Sequence, residues 1–209
     1  MLNRRTFASS LVLPALTAGV TQAHAATVGQ AAPDFMATDA LGKTHKLSDF
    51  KGKHVVLEWT NPGCPFVVKH YTGGSGGNMQ ALQNEFMGKG VVWLSINSTE
   101  KDHRDYLEPA KLMAWKTEKK AKANAMLMDE SGKIGQLYSA KTTPHMYIVN
   151  PQGVLVYAGA IDSVPSARAD DIKTATNYVR QGLNEALSGK AISTPSTRAY
   201  GCSVKYKDA

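Results

Sequence analysis

The chain reads as short apolar runs separated by clusters of turn-forming residues. His54–Thr60 (HVVLEWT) and Val91–Asn97 (VVWLSIN) carry the β-branched and aromatic residues of buried strands. Ala125–Met128 predicts a shorter strand, and Thr142–Ala160 (TTPHMYIVNPQGVLVYAGA) predicts two strands about a Pro151-Gln152-Gly153 turn. Residues 28–53 have turn signals at Ala40–Lys43 and Gly52, which predict a hairpin and a helical turn. Helical spacing covers Met79–Met87, ended by Gly88–Gly90. Residues 99–124 predict one or two helices broken near Pro109, and Ile134–Ser139 another helical turn. Ser166–Leu187 reads as one long amphipathic helix, followed by an irregular tail from Ser188. Strand, helix, strand, helix, hairpin and closing helix together predict an α/β domain with a central mixed sheet flanked by helices.

The N-terminus changes the domain picture. Arg4 and Arg5, an apolar run from Leu11 to Val20 and Ala23-His24-Ala25 form a signal-peptide pattern over residues 1–25. The Arg-Arg-Thr-Phe string also resembles a twin-arginine signal, so Sec and Tat export both stay open. The run is broken by Pro14 and Gly19 and falls short of the roughly 20 residues of a membrane span. Export to the periplasm or beyond is expected, with no membrane segment in the mature chain. Residues 26–190 then make one domain, and residues 191–209 a C-terminal tail.

Net charge is +7, yet the lysines are scattered and not interleaved with aromatics, which argues against nucleic acid as a partner. The densest run, Lys116–Lys122, sits among helix formers and reads as a solvated face. The glycine-rich stretch Tyr71–Asn78 has no Gly-Lys-Ser/Thr ending and reads as a flexible loop. No histidine pair has zinc-ligand spacing with cysteines, and no cofactor or metal site is expected. The oligomeric state is left open.

Chemistry centres on two cysteines, Cys64 and Cys202. Asn61-Pro62-Gly63 breaks a buried strand, and Cys64-Pro65 follows where a helix would begin, with proline suited to the first helical position. A helix start presents unpaired N–H groups and partial positive charge, which favour thiolate over thiol. Cys64 is therefore a candidate nucleophile, or alternatively half of a structural disulfide with Cys202. His70 is expected on a helix surface, His145 on an exposed strand face, and Trp59 beneath the Cys64 turn.

Three stretches carry a resemblance: Gly29-Gln30-Ala31-Ala32-Pro33-Asp34-Phe35, Trp59 through Val67 (WTNPGCPFV), and Thr142 through Asn150 (TTPHMYIVN) with Gly153. Together they resemble the redoxin branch of the thioredoxin superfamily. That branch holds peroxiredoxins of the alkyl hydroperoxide reductase and thiol-specific antioxidant type and thioredoxin-like thiol-disulfide proteins. The resemblance covers roughly Val28–Leu187. It implies a thioredoxin-like fold, Cys64 as the attacking cysteine, and Thr143-Pro144 as a cis-proline step facing it; a trans proline opening an edge strand is the alternative.

The pattern also departs from the family. Val67 stands where thioredoxins have a second cysteine, and Asn61 where peroxiredoxins have a threonine, with Thr60 one step early. The stretch at Thr142-Thr143-Pro144 lacks the peroxiredoxin arginine and has only Lys141 nearby. Asn61 is a candidate hydrogen-bond donor to the thiolate or a bound oxygen. Cys202, on the tail, is the candidate resolving cysteine. The expected activity is thiol-dependent oxidoreduction, with a thiol- or disulfide-bearing protein or a small peroxide as partner. A non-catalytic module with a Cys64–Cys202 staple is the alternative.

Overall fold

The computed structural model describes residues 25–207, so the signal-peptide reading falls on residues that lie almost wholly outside those described. Among the described residues, no helix is long and apolar enough to cross a membrane.

A hairpin comes first: β1 (Met36–Asp39) turns into antiparallel β2 (Thr44–Lys46), and a 3-10 turn at Leu47–Phe50 follows. The predicted buried strand is β3 (Val55–Trp59), and every residue in it is buried. Its chain breaks at Asn61-Pro62-Gly63 and restarts as the short helix α1 (Pro65–Tyr71), with Pro65 at its first position. The glycine-rich stretch is a 3-10 turn at Gly74–Gly76 leading into α2 (Asn78–Met87). The buried strand β4 (Val92–Asn97) lies parallel to β3, with Val55 opposite Val92 and Trp59 opposite Ile96.

No helix forms in residues 99–108; Pro109 opens α3 (Pro109–Glu118) and does not interrupt it. Then come β5 (Ala125–Met128), α4 (Lys133–Leu137), the two-residue β6 (Thr142–Thr143), and the hairpin of β7 (His145–Val149) and β8 (Leu155–Gly159). The seven-stranded sheet runs β2-β1-β5-β4-β3-β7-β8. Within it β3, β4 and β5 are mutually parallel and the remaining pairings antiparallel. This is the mixed sheet that the pattern predicts.

The long helix expected over Ser166–Leu187 is two pieces, a 3-10 turn at Ala169–Lys173 and α5 (Tyr178–Leu187). Asn177 ends the continuity. Its side chain accepts the Arg180 N–H at 2.9 Å, capping α5, while Asp162 and Asn177 form a β-bridge and the Thr176 N–H donates to the Ser163 hydroxyl at 3.0 Å. These bonds fold residues 163–176 back toward α1. Helical spacing alone does not register such competing side-chain partners.

The sheet carries an apolar layer on each face, because successive strand residues point to opposite sides. Val56 on β3 joins Tyr71, Leu82, Phe86, Trp93, Ile148, Val179 and Leu183 on the face covered by α1, α2 and α5. Val55, Leu57 and Trp59 join Leu94, Ile96, Tyr138 and Tyr147 on the other. The parallel β3–β4 pair thus sits between two cores, which fixes the C-terminal end of β3 where the Cys64 turn begins.

Candidate functional site

Cys64 caps the N-terminus of α1 with extended backbone angles, and its side chain is only 3 % exposed. The turn that delivers it is held by Asn61, whose side-chain oxygen accepts the Gly63 N–H at 2.8 Å and whose backbone oxygen accepts the Cys64 N–H at 3.0 Å. The Asn61 amide nitrogen donates to the Thr99 hydroxyl at 3.0 Å. Asn61 thus ties β3, the turn and the segment after β4 together; donation to Cys64 is not among its bonds.

Opposite the turn, the Thr143–Pro144 peptide bond is cis. The Cys64 thiol donates to the Thr143 carbonyl at 3.1 Å. The Thr143 hydroxyl is buried and has no hydrogen-bond partner.

The tail is irregular in sequence, yet it is not loose. Ser196 pairs with Ala158 on β8, and the Thr197 hydroxyl accepts the Ala160 N–H at 2.8 Å. Residues Cys202–Ser203 form β9, which pairs antiparallel with β6, placing Cys202 across from Thr143. Beyond it, the Val204 N–H donates to the Lys141 carbonyl at 3.0 Å, and the Lys205 carbonyl accepts the Glu100 N–H at 2.8 Å. Cys202 is thereby held on a fixed path opposite Thr143, whose carbonyl accepts the Cys64 thiol.

The pKa values of the two thiols move in opposite directions. Burial pushes the Cys64 thiol up, but the Cys202 thiol, the Thr143 side chain and the N–H groups of Cys202 and Val67 outweigh it and hold the pKa below the ordinary cysteine value. Val67 thus takes the position of the missing second cysteine while its backbone still serves the first. Cys202 moves the other way, to about 11, through burial and then through its hydrogen bond with Cys64 and the negative charge there. Cys64 is therefore the stronger acid of the two, and Cys202 keeps its proton at neutral pH.

His145 does not lie on an exposed face. Its Nδ1 accepts the Lys141 N–H at 3.3 Å and lies 3.2 Å from the Tyr147 hydroxyl, and burial lowers its pKa to about 4. Trp59 lies at the foot of the turn, fully buried, donating to the Ser98 hydroxyl at 3.0 Å and packed on Tyr138 and Tyr147.

His70, expected on a helix surface, is wholly buried. One turn into α1, Lys69 and His70 face a closed polar cluster. Lys69 Nζ lies 3.3 Å from Asp162 Oδ2, 3.1 Å from the Val164 carbonyl and 3.3 Å from the Tyr200 hydroxyl, which itself donates to Asp162. His70 Nδ1 bonds the Asn78 amide at 2.8 Å, and burial brings its pKa down to about 4. The inversion arises because residues 160–164 and Tyr200 cover a helix face that would otherwise meet water.

A second buried acid is Glu58, which accepts from Trp93 Nε1 at 2.7 Å, the Ser95 hydroxyl at 2.9 Å and the Tyr71 hydroxyl at 2.7 Å. Burial raises its pKa despite these donors. The sequence pattern singles out neither Glu58, Lys69 and Asp162 nor Tyr200. A charged residue inside an otherwise apolar strand run is the one local signal that points to Glu58.

The sheet order, the cis step and the cysteine at a helix start define a thioredoxin-like fold with its two cysteines far apart in sequence. Solved structures agree with the fold. A hypothetical protein from Sinorhizobium meliloti 1021 is similar at 23% identity and TM-score 0.76, covering 89% of this chain and 98% of that one. An uncharacterized conserved protein from Geobacillus kaustophilus is similar at 26% identity and TM-score 0.72, covering 88% of this chain and 94% of that one.

The chain belongs to the AhpC/TSA family, whose model matches residues 28–158. Among characterised proteins it is similar to the thiol-disulfide oxidoreductase ResA of Geobacillus kaustophilus, 46% identical over 44 residues, which span 21% of this chain and a quarter of that protein. It is also similar to ResA of Bacillus thuringiensis subsp. konkukian, 24% identical over 62% of this chain and 67% of that one.

Proposed function

We propose that the protein is a thiol-disulfide oxidoreductase in which Cys64 attacks and Cys202 resolves. The observation that carries this reading is the placement of Cys202 on β9 opposite Thr143, the residue whose carbonyl accepts the Cys64 thiol at 3.1 Å. The opposite pKa directions of the two thiols, Cys64 lowered and Cys202 raised to about 11, agree with it. The Cys64 thiolate attacks one sulfur of a disulfide; a mixed disulfide forms and the other sulfur leaves as a thiolate that takes up a proton. Cys64 then no longer carries the charge that held the Cys202 proton, so Cys202 ionises more readily. It attacks the Cys64 sulfur, closing Cys64–Cys202 and releasing the substrate as a thiol.

Disulfide exchange is favoured over peroxide reduction because the Asn61 side chain is occupied by Gly63 and Thr99, and the cation deepest in the neighbourhood, Lys69, is bound to Asp162. Export is part of the same reading and is supported by the residue 1–25 pattern; fractionation of cells expressing the full chain checks it.

The test of the chemistry is exchange with a model protein disulfide. Cys64→Ser should abolish it, and Cys202→Ser should accumulate a mixed disulfide at Cys64. Activity surviving in Cys64→Ser refutes the assignment. A Cys64–Cys202 potential below about −300 mV, with Cys64 unreactive after reduction, would instead identify a structural staple.

A further inference from the structure

The strand edge beside Cys64 is already occupied by the chain itself. β6 is two residues long, and β9 is its partner in a separate two-stranded sheet. Without β9, the backbone groups of Thr142 and Thr143 along that edge would be open, and an open strand edge is a template for an incoming extended chain. β9 also places a cysteine opposite Thr143, the residue whose carbonyl contacts the Cys64 thiol.

Two tyrosines bracket this cysteine and tie the segment down. Upstream, the Tyr200 hydroxyl enters the buried Lys69–Asp162 pair, and its ring meets Phe66 edge-on at 5.9 Å. Downstream, the Tyr206 hydroxyl donates to the Ala140 carbonyl at 2.7 Å, and its ring lies over Gly132 and Gly135, where a Cβ would stand 2.5 Å and 2.7 Å from the nearest ring carbon. Between them, Gly201 adopts φ +137°, and a Cβ there would stand 2.0 Å from the Thr143 oxygen. The path is therefore specified at three points, and it leaves Cys64 3 % exposed.

We propose that residues 199–206 are a tethered occupant of a peptide-docking edge. A partner protein reaches Cys64 by presenting an extended, disulfide-bearing segment that replaces Cys202–Val204 on β6. This rests on the reading of Cys64 as the exchanging thiol. In the exchange, the bond between the partner's two sulfurs breaks, a Cys64–partner bond forms, and the displaced sulfur leaves as a thiolate that takes a proton from solvent. The strap then re-docks, Cys202 attacks Cys64, and the partner departs as a thiol. The two anchors set how readily a chain gains entry, while a small disulfide needs only a gap at the sulfur.

The test uses the full chain with Cys202→Ser, so that the strap cannot close on Cys64. Two probes are compared: a small aromatic disulfide, and a heptapeptide of sequence AYGCSVK whose cysteine carries the same aromatic thiol as its leaving group. The readout is the ratio of peptide rate to small-disulfide rate, which cancels any change in Cys64 pKa or general exposure. Adding Tyr200→Phe and Tyr206→Phe should raise this ratio at least fivefold. Val204→Pro, which deletes the N–H bonded to Lys141 and touches neither anchor, should raise it in the same direction and carries the test if the tyrosine variant is unfolded by circular dichroism. A ratio unchanged within twofold in the folded variants overturns the strap proposal and leaves Cys64 as an exchanging thiol. No reaction of Cys64 with the small disulfide in any variant overturns the proposed function, and the strap proposal with it.

Discussion

Replacing Cys202 by alanine should make Cys64 a weaker acid. The thiolate at Cys64 is opposed by burial and supported by the Cys202 thiol, the Thr143 side chain and two backbone N–H groups. The substitution deletes the thiol donor and leaves the N–H groups of residues 202 and 67 in place. A hydrogen bond to a charged group contributes about 1.5–3 kcal/mol, so deleting this donor should weaken the thiolate by up to that amount and raise the Cys64 pKa. Ultraviolet absorbance of the thiolate against pH measures it, with the pH dependence of iodoacetamide alkylation as a second readout on the same samples. Cys202→Ser is the comparison, because its hydroxyl can still donate and the rise should be smaller. An unchanged or lowered pKa in Cys202→Ala would refute the pairing of the two thiols as the source of the depression.

Acid should destabilise the fold through His70 and His145. Both have pKa values lowered from 6.5 to about 4, so the unfolded chain binds protons that the folded chain refuses, and stability present above pH 6.5 is lost as pH falls toward 4. Each shift amounts to about 3 kcal/mol at most; urea midpoints should drop across that window, His145→Gln should flatten part of the slope, and a flat profile contradicts the assignment. Glu58 acts in the opposite sense. Burial makes the folded chain hold this proton more tightly than the unfolded chain does, so stability falls as pH rises above 4.5. Glu58→Gln should therefore gain thermal stability relative to the parent as pH rises above 4.5, and a constant difference would show that Glu58 does not titrate differently on folding. Gly201→Ala forces the strap away from the Thr143 oxygen, which a Cβ would approach to 2.0 Å. Closure of the Cys64–Cys202 disulfide should slow by roughly tenfold or more, as expected for a reacting group displaced by about 1 Å; closure at the parent rate would show that the close approach does not position Cys202.

Where a residue's fate depends on neighbours within a few positions, the sequence alone determines it. The two all-buried strands, the Pro65 helix start after Asn61-Pro62-Gly63 and the hairpin around Gly153 are legible because β-branched runs, proline and glycine act through local sterics. The two cysteines are visible for the same reason, as is the absence of a partner at Val67. Contacts distant in sequence decided the rest. His70 and Lys69 look like the solvated side of a short helix until Asp162 and Tyr200, about 90 and 130 positions on, close over them. Asn61 looks like a free donor until Thr99, 38 positions away, takes its amide. Ser166–Leu187 keeps helical spacing throughout, yet it breaks at Asn177, where capping and the bridge to Asp162 compete with the helix. Above all, the tail's composition says only that it lacks a pattern. Its role comes from docking, since an irregular segment acquires a fixed path when a strand edge, a buried ion pair and a shelf of two glycines each accept one of its residues, and only the tertiary structure brings those three together around Cys64.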